Sequence, residues 1–279
     1  MTRIPYWHVD AFANRPFTGN QAAVMPLERW PDDAELLAIA EENNFAETAF
    51  LVRDETGAAE WELRWFTPAE EIRLCGHATL ASGHVLLTRD GGDRVTFRTR
   101  RAGVLEVART GTAYELALPL IRSAPGSWPE AAALLGSEPA EVWLNEDGYG
   151  IYLFDSEAQV RALDPDLRGL GALGSDQFIC TARGSDSDVV SRVFVPGSGV
   201  DEDSFTGSAH AALTYFWTER LGRDSFTAFQ ASQRGGHASA PMLIENFDFT
   251  TRSRLQTDTD WEGAAVTMIA SAKRLEPAG

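Results

Sequence analysis

The sequence predicts an α+β protein built from two similar halves. Three observations carry that expectation: many short stretches alternate apolar and polar residues, a few longer ones have helical spacing, and one strand–loop–helix unit occurs twice. Alternation over 6–12, 47–52, 60–66, 94–99, 103–107 and 114–118 predicts strands. Weaker helical spacing falls at 32–42, 76–87, 128–135, 156–163 and 207–221. Gly, Asp and Ser mark 89–93 and 182–188 as turns or loops. In the repeated unit, RWFTP at 64–68 is matched by RVFVP at 192–196, and CGHA at 75–78 by TGSA at 206–209, with offsets of 128 and 131. Each second string opens a helical pattern, so the join between halves is expected near 119–129, giving lobes 1–119 and 120–279.

Composition narrows the function. The chain has 279 residues, 44% hydrophobic and 23% charged, with 24 basic against 41 acidic side chains and a net charge of −17. This is a folded, acidic protein, and with no basic stripe the capture of nucleic acid or an anionic membrane is disfavoured. Lys273, six residues from the C-terminus, is the only lysine, a poor candidate for Schiff-base chemistry. Cys75 and Cys180 lie far apart, the first ten residues carry no apolar signal segment, and no run approaches the roughly 20 apolar residues of a membrane span. A reduced, cytoplasmic protein is expected.

The duplicated unit is the place to look for chemistry. Cys75-Gly76 and Thr206-Gly207 stand where the two helices begin. A helix start offers unpaired N–H groups and the positive end of the dipole, and glycine lets a ligand approach the backbone. Two such starts facing one cleft would hold a small carboxylate; a single glycine there would merely fit a tight turn. His77 and Ser208 are equivalent, one residue past each glycine. The dipole is expected to keep such a histidine neutral. Asp203, three residues before Thr206, could enter the cleft, whereas its neighbours Asp201 and Glu202 read as solvated surface without a metal-ligand donor set. Glu47 alternates with apolar neighbours in NFAETAFLV. Burial there would raise its pKa, as a carboxyl that both takes and gives a proton near neutral pH requires. A solvent-facing edge-strand glutamate is the competing reading, and composition alone favours it.

Together these residues resemble the phenazine-biosynthesis isomerase-like family, which has the fold of diaminopimelate epimerase. The matching strings are DAFANRPFTGNQAAV at 10–24, NFAETAF at 44–50, LRWFTPAEEIRLCGHATLASGHVL at 63–86 and RVFVPGSGVDEDSFTGSAHAAL at 192–213, with QASQRGG at 230–236 a weaker fifth. The resemblance implies two α+β lobes, each a curled, mainly antiparallel sheet around a central helix, with the site between them. It further implies a homodimer and a cofactor-free, metal-free isomerisation of a dihydro-hydroxyanthranilate in phenazine antibiotic biosynthesis, with one glutamate moving the proton. Carried over, that glutamate is Glu47; His77, Asp203 and Ser208 match the supporting polar residues. Gly76 and Gly207, with Cys75 and Thr206 before them, match the helix starts that would bind the carboxylate, and Asn20 falls in a GN turn beside the cleft. The epimerase branch needs a thiol at both starts. Here Thr206 faces Cys75's role with a hydroxyl, so two-thiol racemisation is disfavoured. Ser204 and Gln21 replace prolines common in the family, and 238–261 lacks the alternation expected of closing strands. An epimerase, a lyase and a non-catalytic binder are the alternatives, and whether the last strand near 264–275 returns to the first lobe is left open.

Overall fold

The computed structural model describes residues 4–223, 225–248, 253–254, 264–270 and 272–274. The chain divides into two compact units, Met1–Pro119 with Ile244–Gly279, and Leu120–Leu243.

In the first unit, β1 (Trp7–Ala11) pairs antiparallel with β2 (Asn20–Pro26). α1 (Asp33–Asn43) leads to β3 (Glu47–Arg53), which lies parallel to β2 and antiparallel to β4 (Trp61–Phe66). The end of β4 turns back through β5 (Glu71–Ile72) into α2 (Gly76–Arg89), while its start receives β6 (Arg94–Arg98) in parallel. β7 (Val104–Thr110) and β8 (Ala113–Pro119) continue antiparallel.

The second unit repeats this order. After β9 (Ala124–Pro125) and α3 (Pro129–Leu134), β10 (Glu141–Leu144) pairs antiparallel with β11 (Tyr149–Leu153). Two short helices, α4 (Glu157–Ala162) and α5 (Leu167–Leu173), replace α1. β12 (Gln177–Arg183) then lies parallel to β11 and antiparallel to β13 (Val189–Val195). β13 turns back through β14 (Val200–Glu202) into α6 (Gly207–Leu221) and receives β15 (Ala228–Gln230) in parallel. β16 (Gly236–Asp248) pairs with β15 and with β17 (Ser253–Arg254). Although 238–261 lacks the alternation expected of closing strands, β16 runs through it as far as Asp248; apart from 253–254, the rest of that stretch lies outside the described residues.

β18 (Ala264–Ala270) pairs with β8, and β19 (Ala272–Arg274) with β1. The second unit thus ends at Leu243 rather than at 279, and the strand return left open by the sequence occurs, because β1 and β8 each present a backbone edge that needs a partner.

Burial explains the weak helical signal. α2 packs on β1, β2, β3, β6, β7 and β8, and every residue from Gly76 to Gly83 is buried. A helix surrounded on all sides has no polar stripe. Leu80 and Leu86 each contribute about 1.5–3 kcal/mol by leaving water. Gly83 lets β7 approach: a Cβ there would lie 2.4 Å from Val107 Cγ1. β2 and β12 are buried on both faces, so neither shows alternation.

Three outer helices, α1, α4 and α5, are capped by side chains: Asp32 accepts from Glu35 N–H, Ser156 from Gln159 N–H and Asp166 from Gly169 N–H, whereas α3 starts with Pro129 after Trp128 and has no side-chain cap. The central helices begin at Cys75 and Thr206 in extended backbone with no side-chain cap. Four residues before each lies an arginine–glutamate clamp. Arg64 donates twice to Glu71 at 2.8 and 2.6 Å, and Arg192 twice to Glu202 at 2.8 and 2.9 Å. These bidentate pairs pin the return strand that feeds the helix.

Candidate active site

In the first unit four predicted residues meet at the start of α2. Glu47 is the first residue of β3 and His77 the second of α2; Glu47 Oε2 lies 3.0 Å from His77 Nε2. The Glu47 side chain is 16% exposed, so it stands neither in bulk solvent nor sealed away. Neither atom has a well-aligned hydrogen bond, which makes this an ion-pair contact rather than a saturated one. On the other edge of the ring, Asn20 Nδ2 and Cys75 Sγ lie 3.3 and 3.4 Å from His77 Nδ1. Gly19 makes Asn20's placement possible: its φ is +67°, and a Cβ there would fall 2.1 Å from the Ala11 carbonyl oxygen.

Burial by itself would disfavour a charge on His77. The Cys75 sulfur and the Glu47 carboxylate outweigh it and hold the imidazole pKa well above its ordinary value. The neutral ring expected from the helix dipole is thereby corrected: a carboxylate at 3.0 Å exceeds the partial charge of a helix end. Burial, then the Glu47 charge, push the Cys75 thiol up to about 11. Among the described residues, the donor atoms of Glu47, Cys75 and His77 lie within 4.8 Å of one another. A metal held there would have to displace the protons of the thiol and the imidazole.

In the second unit Asp203 Oδ2 accepts from Thr206 Oγ1 at 2.6 Å. Thr206 N–H donates to Gln230 Oε1 at 2.9 Å, and Gln230 Nε2 donates to the Asp203 carbonyl at 2.7 Å. The N–H of Thr206 is thus engaged by Gln230, and Gly207 is the next residue along the uncapped start. Ser208 Oγ accepts from Gln177 Nε2 at 3.3 Å. His210 is buried and stacked on Phe205, with ring centroids 4.1 Å apart, and burial lowers its pKa to about 4.

Two residues escaped the sequence reading. Gln230 lies in the QASQRGG string without a role attached. Gln177 heads β12 as Glu47 heads β3, at an offset of 130, and extending the repeat beyond its two short strings would have found it.

Repeated lobes with uncapped central helix starts place the chain in the racemase and epimerase class of folds. A probable proline racemase from Agrobacterium radiobacter superposes with a TM-score of 0.63 at 11% identity, covering 99% of this chain and 93% of that one, a likeness of fold alone. The model of the phenazine biosynthesis-like protein family (PhzC-PhzF) matches residues 9–271, and the chain belongs to that family. A family member from Enterococcus faecalis superposes with a TM-score of 0.82 at 36% identity, covering 99% of this chain and 98% of that one. An uncharacterised isomerase of Pseudomonas aeruginosa is 45% identical over 237 residues, 84% of this chain and 89% of its own. Among the described residues no helix is long and apolar enough to cross a membrane.

Proposed function

We propose that the protein is a cofactor-independent, metal-free isomerase that moves a proton within a small cyclic or amino-acid-like carboxylate, similar to trans-2,3-dihydro-3-hydroxyanthranilate. The observation that carries this reading is the Glu47–His77 contact at the uncapped start of α2. Glu47 takes a proton from a carbon activated by neighbouring unsaturation, the electron pair shifts along the conjugated system, and the same carboxyl returns the proton to another carbon. His77 answers the charge that Glu47 carries before and after each transfer. Gly76 and Gly207, with Cys75 and Thr206 before them, frame the helix starts that receive the substrate carboxylate. Asp203 and Ser208 orient the rest of the molecule, and Asn20 holds the His77 ring. The family resemblance supports a cytoplasmic homodimer.

The test is to incubate trans-2,3-dihydro-3-hydroxyanthranilate with the enzyme in deuterated water and follow product and label by NMR. Relocation of hydrogen to a second carbon is the expected result. Inversion at one centre would mark an epimerase, loss of water a lyase, and no change with retained binding a non-catalytic protein.

A further inference from the structure

The start of α2 gathers three side chains that the proton shuttle uses only in part. Among the described residues, Glu47, Cys75 and His77 form a cluster whose carboxylate, thiol and imidazole donor atoms all lie within 4.8 Å of one another. Glu47 Oε2 stands 3.0 Å from His77 Nε2, and Cys75 Sγ 3.4 Å from His77 Nδ1. Cys75 and His77 are 5% and 4% exposed, so packing holds both in place. Glu47 Oε2 and His77 Nε2 are shielded from solvent, and neither makes a well-aligned hydrogen bond. Buried polar atoms in that state are accounted for by strain, by a catalytic duty or by an ion that completes their coordination.

We propose that Glu47, Cys75 and His77 form a zinc(II) site, and that zinc bound there inhibits the protein. Thiolate, imidazole and carboxylate are the ligands zinc takes, and three of them leave a fourth position open. Calcium and magnesium, which want oxygen ligands alone, are not served. Tetrahedral bonds of about 2.0–2.3 Å put neighbouring donors about 3.3–3.7 Å apart, close to the separations at this cluster. Glu47 and Cys75 lie beside opposite nitrogens of the ring, so a turn of one side chain brings both onto a single ion; Glu47, with three rotatable bonds and a partly exposed edge, is the freer. Coordination forms one bond each to sulfur, nitrogen and oxygen. The thiol proton and any proton on the ligating nitrogen pass to the buffer, and nothing is oxidised. The carboxylate and thiolate cancel the two charges of the ion, which offsets the opposing end of the helix dipole. A net charge of −17 draws cations toward the protein. A zinc-bound carboxylate has given up the lone pair with which it would take a proton, so the inhibition rests on the proposed Glu47 shuttle, whereas the binding does not. The second unit has Thr206, Ser208 and Gln177 in the matching places, which lack thiolate and imidazole, so one ion per chain is expected.

Cobalt(II), which takes zinc's ligands and is coloured, is the probe. Titrated into full-length protein stripped of metal with a chelator, it should saturate at one equivalent. A thiolate-to-metal charge-transfer band and the strong visible bands of a four-coordinate ion should appear together, and zinc(II) should remove both. Cys75→Ser should abolish the charge-transfer band and weaken zinc about a hundredfold in competition with a chelating dye, whereas Cys180→Ala changes neither. Glu47→Gln should keep the band and weaken zinc about tenfold. The site is overturned if wild-type protein gives no charge-transfer band, if the band survives Cys75→Ser, or if Glu47→Gln binds zinc as tightly as wild type. Should thermal melting show Cys75→Ser unfolded, Cys75→Thr, which installs the residue of the matching position in α6, makes the same comparison. Zinc should also suppress hydrogen relocation in trans-2,3-dihydro-3-hydroxyanthranilate, with recovery on adding chelator; undiminished turnover with zinc bound overturns the inhibition. Absence of turnover before zinc is added retires the Glu47 shuttle and, with it, the inhibition, while the cobalt bands still decide the metal site.

Discussion

The starts of α2 and α6 share a backbone and differ in chemistry. Both follow an arginine–glutamate clamp by four residues, both begin in extended conformation, and both lack a side-chain cap. In each, the clamping arginine also lies over a phenylalanine two residues on, Arg64 over Phe66 and Arg192 over Phe194, at 4.9 and 4.8 Å. On that common frame the first start carries a carboxylate, an imidazole and a thiol, and the second a carboxamide, a hydroxyl and a threonine. The frame presents backbone donors twice; the side chains restrict the Glu47–His77 pair to one side.

The sharpest way to break this contrast is Glu47→Gln, which gives the first start the carboxamide that Gln177 gives the second. Deuterium exchange into trans-2,3-dihydro-3-hydroxyanthranilate should fall roughly a hundred- to ten-thousand-fold with little change in melting temperature. A rate within a few fold of wild type would remove Glu47 from the reaction.

The clamps should differ next. Arg64 is 1% exposed and serves Asp33 as well as Glu71, whereas Arg192 is 14% exposed. Arg64→Ala should cost about 3 kcal/mol in urea unfolding, because it strands a partly buried glutamate, and Arg192→Ala less. Equal midpoints would show that burial does not separate them.

Gly83 has Thr214 in its place in α6, where the hydroxyl donates to the His210 carbonyl at 2.7 Å. Gly83→Ala drives a Cβ into Val107 and should destabilise the protein by about 1–3 kcal/mol, read from the same unfolding curves. An increase in stability would mean that β7 can retreat.

The two buried histidines should pull stability in opposite senses with pH. His77 is raised in the folded protein, so its contribution is complete below about 6.5 and is lost as pH rises through the folded value. His210 is lowered to about 4, so the unfolded chain takes up the proton first and stability falls as pH drops from about 6.5 toward 4. Melting temperatures across pH should lose the acid-side slope in His210→Gln and the alkaline-side slope in His77→Gln. The reverse assignment would overturn both environments.

The smallest effect concerns salt. With a net charge of −17 opposing an anion at long range, the proposed carboxylate would have to be held by local N–H groups. Raising the ionic strength from about 0.1 to 0.5 M should shift KM by less than about twofold; a steep rise in KM would reveal a cationic funnel instead.

Much of this was legible beforehand. The strands at 47–52, 60–66 and 94–99 appear as β3, β4 and β6 within a residue or so; β6 alternates because one face meets the core and the other does not, whereas β3 and β4 are largely buried on both faces. β2 and β12 were not legible, because burial on both faces erases the period. Ser208 and Asp203 lie in or beside the two short strings of the repeat; Gln177 lies outside them and is reached only by extending the repeat, at an offset of 130, to the head of a strand whose period burial has erased. The helix dipole was a sound argument for a neutral His77 until Glu47 was found beside it.

The sequence by itself determined the duplication, the acidic and nearly lysine-free composition, and the residue types at both helix starts, because these depend on identity and spacing along the chain. Tertiary structure alone decided that Glu47 touches His77 and Gln177 touches Ser208, and that Arg64 and Arg192 clamp mirrored hairpins. It also decided that the strands after 264 close the first sheet. Such facts depend on which distant segments share a hydrogen-bond ladder, and local spacing does not encode that choice.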